Sequence, residues 1–229
     1  MRHEMHDVLK KVLTRVGARL SERSIQKLNS AINYAETGRW LTSHGLNPDV
    51  QTKRDRELFD LIIKDVADSE VLYLEFGVFE GDSMRYWSSR LKNPASNLHG
   101  FDSFEGLPET WNLDLKKGHF STNGKIPQIS DPRVKFFKGW FDQTLPTYIP
   151  PPHQQLVLDL DADLYSSTIY VLRHLQPIIV PGTYIYFDEF ADRANELRAF
   201  AEFVEDTRMK FTMLGANSSF SKVVFRRVA

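Results

Sequence analysis

Apolar residues in this chain first recur at helical spacing and then, from Val71, gather into short runs separated by helical stretches. In the opening segment Val8, Leu9, Val12, Leu13 and Val16 fall on one face, with Arg or Lys at 10, 11, 15, 19, 23 and 27 around them, so the first 45 residues are predicted helical. A second helix is predicted from about Ser24 to His44, closed by Gly45 and Asn47-Pro48. Thr52 with Asp55 three residues on has the form of a capping box, and Leu58, Leu61, Ile62 and Val66 continue as an amphipathic stripe.

The later runs predict strands near 71–76, 97–101, 133–138, 155–160 and 179–187. Leu164, Thr168, Val171, Leu172 and Leu175 mark one intervening helix, stopped at Pro177, and Leu197, Phe200, Ala201 and Val204 mark another. Two further strands, about 210–214 and 220–226, have the look of a hairpin turning at Gly215-Ala216-Asn217-Ser218. Parallel βαβ units ending in an antiparallel pair give an α/β class, with a Rossmann-like seven-stranded mixed sheet. Residues 51–229 would form this domain, and 1–50 a helical extension. The stretch from Ser103 to Pro132 has little periodicity. A loop that long in a compact domain is usually functional, and its place after the second strand puts it at the sheet's C-terminal edge, where open α/β sheets bind ligands.

Composition narrows the partners. The chain has 229 residues, 41% hydrophobic and 26% charged, enough for one sizeable core. A net charge of -1 provides no field for nucleic acid or an anionic membrane, and no apolar run reaches membrane-spanning length, so a cytoplasmic location is expected by default. The first 30 residues carry seven Lys/Arg against three Asp/Glu, yet a basic amphipathic helix is more often packed on its own domain or on a sister subunit of a homo-oligomer than on a membrane. With no cysteine, thiolate metal sites and a Cys nucleophile are excluded, leaving carboxylates and histidines.

Three segments carry candidate chemistry. Glu75-Phe76-Gly77-Val78-Phe79-Glu80-Gly81 follows a strand and precedes a helix; its glycines allow a tight turn close to a ligand, and Glu75 can accept hydrogen bonds from an ammonium group. The glycine order differs from the G-x-G-x-x-G of dinucleotide folds, which argues against an NAD-dependent oxidoreductase. Asp102, 27 residues on and at the next strand end, suits the hydroxyls of a ribose. Asp159, Asp161 and Asp163 end the fourth strand, and Asp188-Glu189 the fifth; together these oxygens suit Mg²⁺ or another hard divalent cation. Spacing does not choose among the three aspartates, and Asp163 is also placed to cap the helix starting at Leu164. Three carboxylates at one edge argue against a non-catalytic nucleoside-binding subunit, because they repel one another uncompensated.

These segments resemble the macrocin O-methyltransferase-like branch of the class I methyltransferases that use S-adenosylmethionine (SAM). The likeness runs, in order, through Glu75 to Ser83, Gly100 to Glu109, Gly139-Trp140-Phe141 with Thr144-Leu145-Pro146, Asp161 to Thr168, and Phe187-Asp188-Glu189. It implies SAM as donor, contacted by Glu75, Gly77, Glu80, Gly81, Ser83, Asp102, Ser103, Gly139, Trp140 and Asp159. It also implies a metal held by Asp161, Asp188 and Glu189, with Asp161 as general base, and a small-molecule hydroxyl as acceptor. Metal-assisted O-methylation is therefore expected, a metal-independent methyltransferase being the nearest alternative. The chain departs from the family's Asp-Asp at Glu189 and from its Asp-Gly-Asp at Ala162. His119 in the long loop is a weaker candidate base, and Tyr34, Arg39 and Trp40 candidate lid residues that core packing or a dimer contact would explain equally well.

Overall fold

The computed structural model describes residues 2–229. Two helices, α1 (Arg2–Gly17) and α2 (Glu22–Ser43), precede the sheet. The predicted start of α2 moves from about Ser24 to Glu22, capped by Ser21, whose hydroxyl accepts from the Ser24 N–H at 3.2 Å. The apolar stripe of α1 forms as expected but is not covered by this chain's own core: Val8, Leu9, Val12, Leu13 and Val16 are 49–61% exposed. Contact with the domain is made by the end of α2, where Leu41 is buried and Trp40 packs against Phe190 and Phe200.

The remainder alternates strands and helices: β1 (Val50–Thr52), α3 (Arg56–Val66), β2 (Val71–Phe76), α4 (Asp82–Arg90), β3 (Asn97–Asp102), β4 (Val134–Lys138), α5 (Phe141–Thr144), β5 (Gln155–Leu160), α6 (Tyr165–Leu175), β6 (Tyr184–Phe187), α7 (Glu196–Thr207), β7 (Phe211–Asn217) and β8 (Val223–Arg227). They form one sheet in the order β1-β7-β8-β6-β5-β2-β3-β4, parallel except for β8. The seven expected strands are present, and β1 is an eighth, added at the edge beside β7 with Val50 opposite Gly215. Three residues are too few to produce a legible alternation. Successive strands run outward in opposite directions from β2 and β5, so the switch point lies between those two strands.

Three local readings change. Asp55 makes no side-chain cap to α3; Glu57 instead accepts from the backbone N–H groups of Lys53 and Arg54 at 3.2 and 3.3 Å. Gly215, Ala216 and Asn217 lie inside β7, not in the hairpin turn, and a Cβ at 215 would meet Leu61 and Leu58 of α3 at 2.7 and 3.0 Å. The fifth predicted strand begins only at Tyr184, after a turn in which Thr183 N–H donates to the Val180 carbonyl at 3.0 Å. Among the described residues no helix is long and apolar enough to cross a membrane.

Both sheet faces are buried, as the near-continuous apolar strands require. Leu72, Leu74, Phe76, Leu158, Leu160 and Phe187 belong to one core cluster with residues of α6 and α7, and Tyr73, Val157, Tyr184 and Tyr186 to the other, with residues of α3 and α4. Phe200 of α7 is fully buried and stacks on Phe225 at 4.8 Å between ring centroids. Phe200→Ala is expected to destabilise the protein by about 3–5 kcal/mol, read as a lowered urea midpoint with an unchanged slope.

Candidate active site

The ends of β2, β3 and β5 are tied together by main-chain hydrogen bonds. Gly77 N–H donates to the Phe101 carbonyl and Asp161 N–H to the Phe76 carbonyl, each at 3.0 Å. Gly77 has φ +95°, and a Cβ there would sit 1.9 Å from the Asp161 carbonyl oxygen. Only glycine lets the two strand ends approach this closely. Beyond it, Asp102 folds the turn down: one carboxylate oxygen accepts the Val78 and Phe79 N–H groups at 2.8 and 2.9 Å, and the other accepts that of Phe104 at 2.7 Å. Of roughly four acceptor sites on a carboxylate, these leave about one for a ligand. Gly139 N–H, at the end of β4, donates to the Asp102 carbonyl at 3.0 Å.

These strand ends floor a cavity of about 940 Å³, large enough for a nucleoside-sized ligand and a second small molecule. The 103–132 segment walls it with Leu107, Trp111, Leu115 and Phe120, among others. It is tied down at both sides: Trp111 Nε1 donates to Asp192 at 2.9 Å, and the Ser166 hydroxyl to Glu109 at 3.0 Å. Its far end is anchored by Arg133, whose guanidinium pairs with Asp131 at 2.7 Å and donates to the Ser88, Leu91 and Asn93 carbonyls.

The predicted carboxylates do converge on one edge, and burial dominates their chemistry. Glu75 is 2% exposed and its Oε2 has no protein partner; burial, then Asp159, Asp161 and Asp102, push its pKa well above the carboxylate range. Asp159 accepts the Tyr73 hydroxyl at 2.5 Å, yet burial still raises it to about 7. Asp161 is raised well above its ordinary value by burial, then by Asp188 and Asp163. Asp163 and Glu189 are each raised to about 7, by burial first and Asp188 second. Asp163 does not cap α6. It lies in the left-handed region at φ +58°, and the Tyr165 N–H is taken by Asn195 Oδ1 at 2.9 Å.

Asp188 is held differently. Lys222 Nζ lies 2.5 Å from its Oδ2, and the Tyr186 hydroxyl donates to its Oδ1 at 2.8 Å. Burial pushes the Lys222 ammonium's pKa down, but Asp188, Glu189 and Asp55 more than reverse that and raise it. The donor set implied for a divalent cation, Asp161, Asp188 and Glu189, therefore meets an ammonium already seated on its middle member. No three acidic or imidazole groups converge to hold a metal ion among the described residues. These residues do not fit a divalent ion in this arrangement. The turn at Gly77 brings its backbone against Asp161, and the buried Glu75 Oε2 two residues earlier has no protein partner.

Gly77, Asp102, Ser103, Gly139, Trp140, Asp161, Asp188 and Glu189 all line the cavity, as do Ala162 and Asp163. Glu75, Glu80, Gly81, Ser83 and Asp159 are not among its lining residues. Gly81 shapes the turn at φ +80° with its N–H on the Val78 carbonyl, and the Glu80 carbonyl accepts from Arg85 at 2.7 Å. His119 contributes through its main chain, accepting the Leu107 N–H at 2.9 Å, and Tyr34, Arg39 and Trp40 are not lining residues. Sequence reasoning missed Lys222, Tyr186 and the fully buried Glu196, whose Oε2 accepts the Glu189 N–H at 3.0 Å. The one available signal for Lys222 was a lone cation at the mouth of an apolar strand.

Comparison with known proteins places this geometry. The family profile described as Macrocin-O-methyltransferase (TylF) matches residues 50–226. Among curated proteins, the chain is 30% identical over 138 residues to the 8-demethyl-8-(2,3-dimethoxy-alpha-L-rhamnosyl)-tetracenomycin-C 4'-O-methyltransferase of Streptomyces olivaceus, a match covering 52% of each chain. It is 34% identical over 94 residues to the mycinamicin III 3''-O-methyltransferase of Micromonospora griseorubida, covering 41% of this chain and 34% of that one. The matched stretch thus spans about half or less of these relatives' length. Among solved structures, the O-methyltransferase NovP superposes with a TM-score of 0.57 at 22% identity, over 76% of this chain and 78% of that one, a likeness of fold.

Two outcomes test the site's physics. Gly77→Ala is expected to weaken S-adenosylhomocysteine binding at least about tenfold by calorimetry while the far-ultraviolet spectrum is kept, because the added methyl must part β2 from β5. Asp163, raised from 3.8 to about 7, holds its proton longer folded than unfolded. Its contribution to stability is therefore complete at low pH and lost as pH rises through about 7. Between about pH 4 and 7 the ligand-free protein should lose this contribution, and Asp163→Asn should flatten that loss by about 1 kcal/mol or more, read by urea titration.

Proposed function

We propose, because the chain belongs to the macrocin-O-methyltransferase family, that it is a SAM-dependent O-methyltransferase acting on a hydroxyl of a sugar or natural-product-like small molecule. The observation that carries this reading is the glycine-walled, carboxylate-floored cavity at the β2–β5 switch point, which unites the turn after β2 with Asp161. Residues 51–229 form the methyltransferase domain in this reading, with 1–50 as an appended helical segment.

When bound, SAM supplies a methyl on a sulfonium, so that a C–O bond forms as the C–S bond breaks and sulfur keeps the electron pair. What remains for the protein is alignment and removal of one proton. Glu75 receives the amino-acid ammonium in this reading, supported by its buried oxygen that lacks a protein partner. Asp102 has an acceptor site left for a ribose hydroxyl, and the 103–132 segment supplies apolar walls, Leu107, Trp111, Leu115 and Phe120, beside which the acceptor would sit. Asp161 is the base. Its burial and acidic neighbours raise its proton affinity towards that needed to take a hydroxyl proton as the new bond forms. Metal assistance, which the family pattern implies for Asp161, Asp188 and Glu189, forms no part of this reading, because Asp188 is already engaged by Lys222 and Tyr186.

Asp161→Ala is expected to lower methyl transfer at least about a hundredfold while SAM affinity stays within a few fold, whereas Asp102→Ala weakens SAM binding. Transfer of labelled methyl to a panel of deoxysugar-bearing acceptors, with parallel calorimetry against SAM and NAD, checks both. Equal loss of SAM binding in the two variants sinks the division of roles, and tight NAD binding sinks the reading.

A further inference from the structure

We propose that the Lys222 ammonium is the resident cation of this acidic edge, holding Asp188 in place and closing the cluster to a divalent metal. The inference deepens the methyltransferase reading above and rests on it. Lys222 immediately precedes β8, the antiparallel neighbour of β6, and the register that pairs Phe187 with Val223 brings Lys222 across to Asp188. The pair is shielded, with the two side chains 17% and 25% exposed. The ammonium reaches two acceptors, Asp188 Oδ2 at 2.5 Å and the Asp188 main-chain carbonyl at 3.3 Å. With the Tyr186 hydroxyl on Oδ1, both carboxylate oxygens are in use before any ligand enters.

Glu189 adds to the case. Its N–H is fixed by Glu196, so the residue that differs from the family's aspartate is pinned by its main chain next to a carboxylate already neutralised. A divalent ion drawn to Asp188 would have to displace an ammonium in direct contact, within a partly dehydrated site where like charges repel strongly. A tethered cation also meets the need a metal would meet: Lys222 offsets the charge of Asp161, Asp163 and Glu189, which share one edge and otherwise repel. Lys222 is not among the cavity-lining residues, so it acts through Asp188 as a positioning residue.

The test is a Mn²⁺ titration of the full chain loaded with S-adenosylhomocysteine, followed by electron paramagnetic resonance of free Mn²⁺. Wild type is expected to take up no Mn²⁺ with a Kd below about 1 mM. Lys222→Met, which keeps the stem and removes the charge, should gain a site at least about tenfold tighter, and Lys222→Arg should restore the wild-type result. One Mn²⁺ bound tightly by wild type and lost in Asp188→Asn overturns the proposal, and this arm holds even if Lys222→Met fails to fold. A Lys222→Met variant that still binds the nucleoside and gains no Mn²⁺ overturns it too. Failure of wild type to bind S-adenosylhomocysteine counts against the methyltransferase reading instead, so the two failures are distinguishable.

Discussion

The approach of the Gly77 backbone to the Asp161 carbonyl is the constraint on which the rest of the site depends. It brings the ends of β2 and β5 together where the strand order reverses, so one glycine sets the distance between the turn after β2 and the carboxylates after β5. Every other feature of the floor is referred to that junction. Asp161 N–H is anchored on Phe76, Gly77 N–H on Phe101, and Asp102 closes over the turn by accepting two of its amides. A carboxylate that folds the loop is thereby the same one that is presented to the cavity. Preorganisation of this kind means that binding a nucleoside needs little rearrangement of the main chain.

Charge is the second constraint, and it follows from the first. Drawing parallel strand ends together concentrates Glu75, Asp159, Asp161, Asp163, Asp188 and Glu189 at one edge, the first two and Asp163 buried and the other three partly exposed. Burial and mutual repulsion raise the proton affinity of Glu75, Asp159, Asp161, Asp163 and Glu189. The cluster is tolerable because its members are compensated in different ways. Asp159 has the Tyr73 hydroxyl and Asp188 has Lys222 and Tyr186, while Glu75, with no protein partner for its Oε2, is left to hold its proton. Two carboxylates only two residues apart, Asp159 and Asp161, are therefore separated in function: one is held by a buried tyrosine and the other lines the cavity.

How much of this was legible in the sequence follows from the range of each interaction. Strands β2 and β5 fall within the predicted bounds because both faces are buried and their apolar runs are continuous. Gly77, Asp102, Asp161, Asp188 and Glu189 line one cavity because their spacing places each at a strand end, and strand ends meet by topology alone. The Lys222 contact is not legible in the sequence, since antiparallel register brings it to Asp188 from 34 residues away, whereas Tyr186 sits only two residues from Asp188 and was within reach of a same-face reading of the strand end. Gly215 has the look of a turn residue in sequence, yet it lies in β7 and makes room for α3, distant in the chain. The Asp163 cap failed because Asn195, again remote, satisfies the helix N–H instead.

The N-terminal helix marks the boundary of that kind of reasoning. Its stripe of Val8, Leu9, Val12, Leu13 and Val16 specified a helix and one apolar face, and both are present, yet that face is exposed. Periodicity encodes only which residues share a side, since the hydrophobic effect that favours burial has no direction. At the sheet edge the outcome is different because chain connectivity supplies the direction: a parallel βαβ path admits essentially one hand, which brings the carboxylates to a common end. The functional site is thus more legible than the appended helix, although its residues are spread over more than a hundred positions, from Glu75 to Glu189.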